Sequence, residues 1–376
     1  MKGTRPRGRW AEEDEAAAHA LASSVKDRAE NLMIVDLLRN DLGRVARFGS
    51  VRVPSLFDVE RYRTVWQMTS TIEADVPEGT SLAALFAALF PCGSVTGAPK
   101  VATMRLIAAL EEAPRGAYCG AITWDSTPEG EYAEALAKAA VLTHGTPDFE
   151  LIETLRLEDG GYARPGRHLG RLAASARYFG WPEPTDAARA ALAEYAKASS
   201  RMGSTFEGEA GEIGAPGEGR ADATRPRVDR VRLLVGAGGN ARVEGTPFSD
   251  DSAQPRPVAI ASRPVSRRDP FRYHKTSHRE VLDALRAERP HAFDVLLYNE
   301  EGEFTEFTRG NLVVELDGEL WTPPRECGLL AGVLRDECIE RGEVRERVIR
   351  REDLERADAV WFINSLRGWV PVWVVW

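Results

Sequence analysis

The chain has 376 residues, 43% of them hydrophobic and 8% aromatic, enough for two or three domains with ordinary cores. A formal net charge of −9 sets the average surface against nucleic acid and anionic membranes, so small-molecule chemistry is the expected business of the chain. The cysteines, Cys92, Cys119, Cys327 and Cys338, are too scattered for a zinc site or a disulfide framework, which points to a reducing cytoplasm. The basic start runs into Glu12-Glu13-Asp14 instead of an apolar core, so no secretory signal is expected, and no stretch reaches membrane-spanning length.

In chain order, residues 10–26 predict a helix rich in Ala and Glu, and "NLMIVDLL" follows as an apolar run suited to a buried strand or a helix core. The stretch from Phe48 to Asp75 alternates as strands do, and "SLAALFAALFP" carries apolar residues on a helical period. A glycine-rich turn from Cys92 to Lys100 opens a helix over Val101–Glu112, a strand-like "GAYCGAITW" follows, and "DSTPEGEYAEALAKAAVL" predicts another helix. The composition changes near Phe149. There "FELIETLRLEDGGY" predicts a hairpin turning at Asp159-Gly160-Gly161, followed by the helix "RHLGRLAASARYFG". From Ser199 to Arg227 large apolar residues almost vanish, which predicts a disordered linker or insertion. Beyond it, "RVRLLVG", "PVAIASRPV", "FDVLLYNEEGEFTEF", "NLVVELDGELWTPP" and "AVWFINSLRGWVPVWVVW" predict a strand-dominated mixed domain with one helix over His278–Glu288.

Taken singly, the polar residues of this second half have bland readings. Lys275 would be a solvated surface lysine, Glu306 an exposed acid on an edge strand, and His168 with Arg171 the polar face of an amphipathic helix. Their order and separation carry more. The segments "RHLGRL", "RYHKTSHREV", "NEEGEFTEFTRGNLVV" and "CGLLAGVLR" resemble the fold-type IV pyridoxal-phosphate family, which includes branched-chain and D-amino-acid transaminases and aminodeoxychorismate lyases. The resemblance implies that Lys275 carries the cofactor, that Glu306 faces its pyridine nitrogen, and that Arg171 binds its phosphate with the backbone N–H groups of Gly332, Val333 and Leu334. The chemistry asks for these residue types: an amine that condenses with an aldehyde and then moves protons, a carboxylate that keeps the ring nitrogen protonated, and cationic or N–H donors for a dianion. "INSLRGWVP" and Phe307 directly after Glu306 resemble the lyase branch, which implies release of 4-aminobenzoate and pyruvate from aminodeoxychorismate. A transaminase acting on branched-chain or D-amino acids shares the same three residues, and a non-catalytic partner-binding relic is the third reading.

The first part resembles the chorismate-binding enzymes, specifically component I of aminodeoxychorismate synthase, in "MKGTRPRG", "KDRAENLMIVDLLRNDLGRV", "VWQMTS", "FPCGSVTGAPKVATM" and "EYAEALAKA". This implies Lys2 as the nucleophile toward chorismate, Glu30, Glu131 and Glu134 around a magnesium ion, and a glutamine amidotransferase subunit as partner. Read on spacing alone, Glu131, Glu134 and Lys138 form one face of a surface helix with an i,i+4 ion pair between Glu134 and Lys138. The chain starts at "KGT" and "GAITW" runs directly into "DSTPEGEY", so this domain is expected to be partial, with unpaired strand edges and an uncovered apolar face. The expected whole is a mixed α+β chain. It comprises a partial chorismate-binding domain over residues 1–146, a small domain over 147–227 including the linker 199–227, and a cofactor-binding domain over 228–376. A homodimer is implied by the fold-type IV resemblance.

Overall fold

A computed structural model describes residues 2–97, 99–110, 147–205, 228–249 and 254–376. The chain divides into two compact units, Met1–Gly8 with Glu12–Thr146 and Arg9–Ala11 with Pro147–Trp376.

In the first unit, β1 (Thr4–Pro6), β2 (Arg52–Arg61) and β3 (Val65–Glu73) form an antiparallel sheet in the order β1-β3-β2. The single helix expected over residues 10–26 is instead two, α1 (Ala11–Ala22) and α2 (Val25–Gly43). Ser24 divides them because its side chain accepts from the Asp27 N–H at 3.2 Å, capping a new helix start. The apolar run "NLMIVDLL" lies within α2, with Ile34 and Val35 buried. Helices α3 (Leu82–Leu89), α4 (Gly93–Thr96) and α5 (Lys100–Leu110) follow. Leu82, Phe86, Leu106 and Leu110 on α3 and α5 are each at least 60% exposed. The strand "GAYCGAITW" and the helix carrying Glu131 and Glu134 lie outside the described residues.

The second unit begins with a four-stranded sheet in the order β5-β4-β6-β7, built from β4 (Leu151–Glu158), β5 (Gly161–Tyr162), β6 (Val228–Val235) and β7 (Ala241–Pro247). The β4–β5 hairpin turns where expected, at Asp159 and Gly160. Both have positive φ, 49° and 77°, as a tight hairpin turn requires. Two helices cover one face of this sheet: α6 (Pro165–Phe179), with proline in its first turn and Gly180 at φ 73° closing it, and α7 (Thr185–Thr205). Leu151, Leu155 and Leu157 of β4 pack there against Leu169, Leu172, Ala188 and Leu192.

Two expectations need correction here. Helix α7 continues to Thr205, so the linker does not start at Ser199; Ser199 donates to Asp229 on β6 at 2.9 Å and ties this late turn to the sheet. The small sheet also runs on to Pro247, so the division expected at residue 227 falls inside it: β6 pairs with β4 along its whole length.

The remaining strands form an eight-stranded sheet, β10-β9-β8-β15-β14-β11-β12-β13. These are β8 (Arg256–Ile260), β9 (Asp294–Tyr298), β10 (Phe304–Phe307), β11 (Asn311–Leu316), β12 (Glu319–Thr322), β13 (Arg345–Glu346), β14 (Ala359–Asn364) and β15 (Gly368–Val375). A further β10–β11 pairing joins the ends of six of them into a closed barrel, which leaves those strands no free edge. Phe304, Phe307, Leu312, Val314, Phe362 and Val370 belong to its core. Helices α8 (Glu280–Ala287), α9 (Val333–Glu340) and α10 (Arg351–Glu355) connect the strands. Among the described residues no helix is long and apolar enough to cross a membrane.

Candidate active site

A cavity of about 550 Å³ in the second unit is lined by residues of the small sheet, α6, the segment before α8, the barrel strands and the start of α9. Its walls carry seven arginines and Lys275 against two carboxylates, a strong positive excess in a chain of net charge −9. Such walls select anionic ligands.

Lys275 sits in the segment between β8 and α8, held at its backbone by the Ile152 N–H, which donates to its carbonyl at 2.8 Å. Burial and the nearby Arg171 charge pull its pKa down from the usual lysine range to about 8, and Arg279 adds to this. Near neutral pH an appreciable share of Lys275 is therefore the free amine, the form that attacks an aldehyde. The rate at which added pyridoxal phosphate reacts with the protein is expected to climb with pH and level off above about 8. Stopped-flow absorbance checks this, and a plateau only above pH 10 would contradict it.

Arg171, one turn after His168 on α6, does not stand as a bare cation. Its Nε and Nη2 donate to Glu153 on β4 at 2.9 and 2.6 Å, and its Nη1 donates to the Ala331 carbonyl at 3.0 Å. Glu153 is 1% exposed. Burial works to raise its pKa, but the Arg171 charge and hydrogen bonds from His168 and Arg171 outweigh this and hold it at about 2. His168 Nδ1 lies 2.7 Å from the same carboxylate, and its Nε2 lies 2.9 Å from Ser365 Oγ in the β14–β15 turn. Burial lowers the His168 pKa, so the neutral ring donates from Nδ1 to Glu153 and accepts at Nε2 from the Ser365 hydroxyl.

Glu306 on β10 is buried, and Arg272 Nη2 donates to it at 2.8 Å. Burial raises its pKa to about 7 against the pull of Arg272, Arg279 and Lys275. Gly332 caps the start of α9 and is constrained by its neighbour: a Cβ there would come within 1.9 Å of Asn311 Oδ1. Gly332 and Val333 line the cavity, and Leu334 is buried in the first turn of the same helix. The structure thus brings Arg171, Lys275, Glu306, Gly332 and Val333 to one cavity. Reading the sequence missed Glu153, Arg272 and Ser365. Glu153 left a signal, as an acid in the apolar stripe Leu151, Leu155 and Leu157.

In the first unit, Lys2 Nζ and Glu30 Oε2 form an ion pair at 3.2 Å. Glu131 and Glu134 lie outside the described residues. Among the described residues no three His, Cys, Asp or Glu side chains cluster as a metal site, and Glu30 faces a cation.

A small helix-covered sheet beside a closed barrel, with a buried lysine in the cavity they share, is the architecture of the fold-type IV enzymes. The chain belongs to the amino-transferase class IV family, whose model it matches over residues 150–374. A solved structure from Mesorhizobium loti, assigned as an amino-acid aminotransferase, is 31% identical; the match covers 61% of this chain and 100% of that one, with a TM-score of 0.50. Residues 1–124 match the chorismate binding enzyme family. The chain is 50% identical over 145 residues to aminodeoxychorismate synthase of Streptomyces griseus, covering 39% of this chain and 20% of that protein. It is 55% identical over 122 residues to aminodeoxychorismate synthase component 1 of Escherichia coli K12, covering 32% and 27%. The chain therefore spans less than a third of the length of either of these relatives.

Proposed function

We propose that the second unit is a pyridoxal-phosphate-dependent lyase that converts 4-amino-4-deoxychorismate into 4-aminobenzoate and pyruvate, in the 4-aminobenzoate branch of folate biosynthesis. The observation that carries this reading is the buried, weakly basic Lys275 in an arginine-rich cavity, on a chain whose first part is similar to synthases named for that substrate. The residues fit pyridoxal phosphate. Thr276 Oγ1 and Arg272 Nε are buried with no hydrogen-bond partner among the described residues, as donors beside a ligand would be.

In this reading Lys275 holds the cofactor aldehyde, Glu306 faces the ring nitrogen, and Arg171 with the N–H groups of Gly332, Val333 and Leu334 takes the phosphate. When bound, the cofactor supplies an electron sink for the substrate carbon next to the amine. The Lys275 amine removes the proton from that carbon, which its depressed basicity permits near neutral pH. Loss of pyruvate makes the ring aromatic and drives the reaction forward. The surplus of cavity arginines suits a substrate with two carboxylates.

For the first unit the proposal is an incomplete chorismate-binding module, in which Lys2 stands at the place of the nucleophile, Glu30, Glu131 and Glu134 at the places of the acids around magnesium, and a glutamine amidotransferase subunit would be the partner. We place the protein in the cytoplasm as a homodimer, its second unit read as a small domain followed by a cofactor-binding domain.

The test is to add 4-amino-4-deoxychorismate to protein loaded with pyridoxal phosphate and to assay 4-aminobenzoate and pyruvate. Both products in equal amounts support the lyase. The similarity to an amino-acid aminotransferase supports a second reading, so amino transfer to 2-oxoglutarate is assayed in parallel. Transfer without 4-aminobenzoate would move the assignment to a transaminase.

A further inference from the structure

We propose that Arg272 is the positioning residue that holds Glu306 as a carboxylate, and so sets the protonation of the ring nitrogen that Glu306 faces. This rests on the reading of the cavity as a pyridoxal-phosphate site. A ring nitrogen keeps its proton only opposite an anion, because a neutral carboxyl group would itself be the donor. Glu306 is 6% exposed, and this burial raises its pKa to about 7; against it work the charge of Arg272 first, then the Leu330 backbone N–H and the charges of Arg279 and Lys275.

Four cations bear on Glu306, and three are committed elsewhere. Arg171 is clamped on Glu153 and the Ala331 carbonyl. Arg279 donates to the Thr308 carbonyl at 2.6 Å and lies 3.7 Å from Asp283. Lys275 gives up its ammonium form when it carries the cofactor aldehyde. Arg272 alone among the described residues donates a side-chain hydrogen bond to Glu306, and the pair is buried on both sides, at 6% and 8% exposure. It comes from the turn directly before Lys275, so the group that holds the cofactor aldehyde and the group that fixes the charge at the ring nitrogen are three residues apart.

The experiment uses the full chain with pyridoxal phosphate as the probe. It compares wild type, Arg272→Gln, Arg272→Lys, Glu306→Gln and the Arg272→Gln/Glu306→Gln double variant. Cofactor affinity and the pH dependence of the bound-cofactor absorbance are both read. Arg272→Gln is expected to weaken cofactor binding by about tenfold or more and to shift the absorbance transition by about one pH unit or more. Arg272→Lys restores most of both, and the double variant binds no more weakly than Glu306→Gln because the two residues act as one. A folded Arg272→Gln protein with wild-type affinity and titration overturns the inference, as does a double variant in which the two losses multiply. If Arg272→Gln does not fold, Arg272→Lys decides: wild-type behaviour supports the inference, and behaviour matching Glu306→Gln overturns it. Failure of wild type to take up the cofactor sinks the functional reading as well, whereas an unaffected Arg272→Gln sinks only the role of Arg272.

Discussion

Replacing Lys275 with alanine is expected to abolish the covalent attachment of pyridoxal phosphate and to lower 4-aminobenzoate formation by at least about a thousandfold. The variant loses two roles at once, the amine that condenses with the aldehyde and the base that moves the substrate proton. General acid–base catalysis alone contributes about 10²–10⁴ in rate, and loss of covalent anchoring adds to it. The cavity should remain. Removing the Lys275 amine takes one cation from a cavity that has an excess of them, and Arg171 keeps its bonds to Glu153 and Ala331. The variant should therefore still bind the cofactor reversibly through the phosphate and ring-nitrogen groups. Borohydride reduction followed by mass spectrometry reads the difference: wild type gains the mass of the reduced cofactor at Lys275 and the variant does not. A covalent adduct of the same mass on the alanine variant would remove Lys275 from its assigned place.

What the sequence disclosed about this site, and what it hid, follows from the range of the interactions. The hairpin at Asp159-Gly160 and the helix start at Pro165 are local, and each is set by residues whose backbone preferences act over a few positions. Motif order was enough to single out Arg171, Lys275, Glu306 and Gly332, which the fold gathers from α6, the segment before α8, β10 and the start of α9 into one cavity. What the motifs could not show is which of these groups are paired. Arg171 reads as a free cation in "RHLGRL", yet it is matched by Glu153 from a strand 18 residues earlier in the chain. Arg272 in "RYHKT" has no local pattern that sets it apart from a surface arginine, because its partner lies 34 residues away. The same limit explains the linker boundary. Composition thins after Ser199, yet Ser199 bonds to Asp229, 30 residues on, and α7 runs to Thr205.

Glu153→Gln is expected to cost the second unit about 3–5 kcal/mol of stability, the range for breaking a buried ion pair by removing one partner. The carboxylate is 1% exposed and accepts from both Arg171 and His168, so its amide leaves the Arg171 charge uncompensated beside Lys275. The pH dependence offers a second check. With its pKa at about 2 in the fold against an ordinary 4.5, Glu153 contributes stability that is fully present above pH 4.5 and lost as the pH falls through about 2. That difference corresponds to about 3 kcal/mol, in line with the substitution cost. Urea unfolding at neutral pH should show a lower midpoint for Glu153→Gln, and the gap between variant and wild type should shrink as the pH is taken from 5 toward 3. A loss below about 1 kcal/mol at neutral pH, or a gap that stays constant into acid, would show that Glu153 is not the anchor of this network. In that case Arg171 would keep its place by the Ala331 carbonyl alone. If Glu153 is the anchor, cofactor affinity should fall along with stability, because the arginine assigned to the phosphate is oriented by the same two bonds that stabilise the fold.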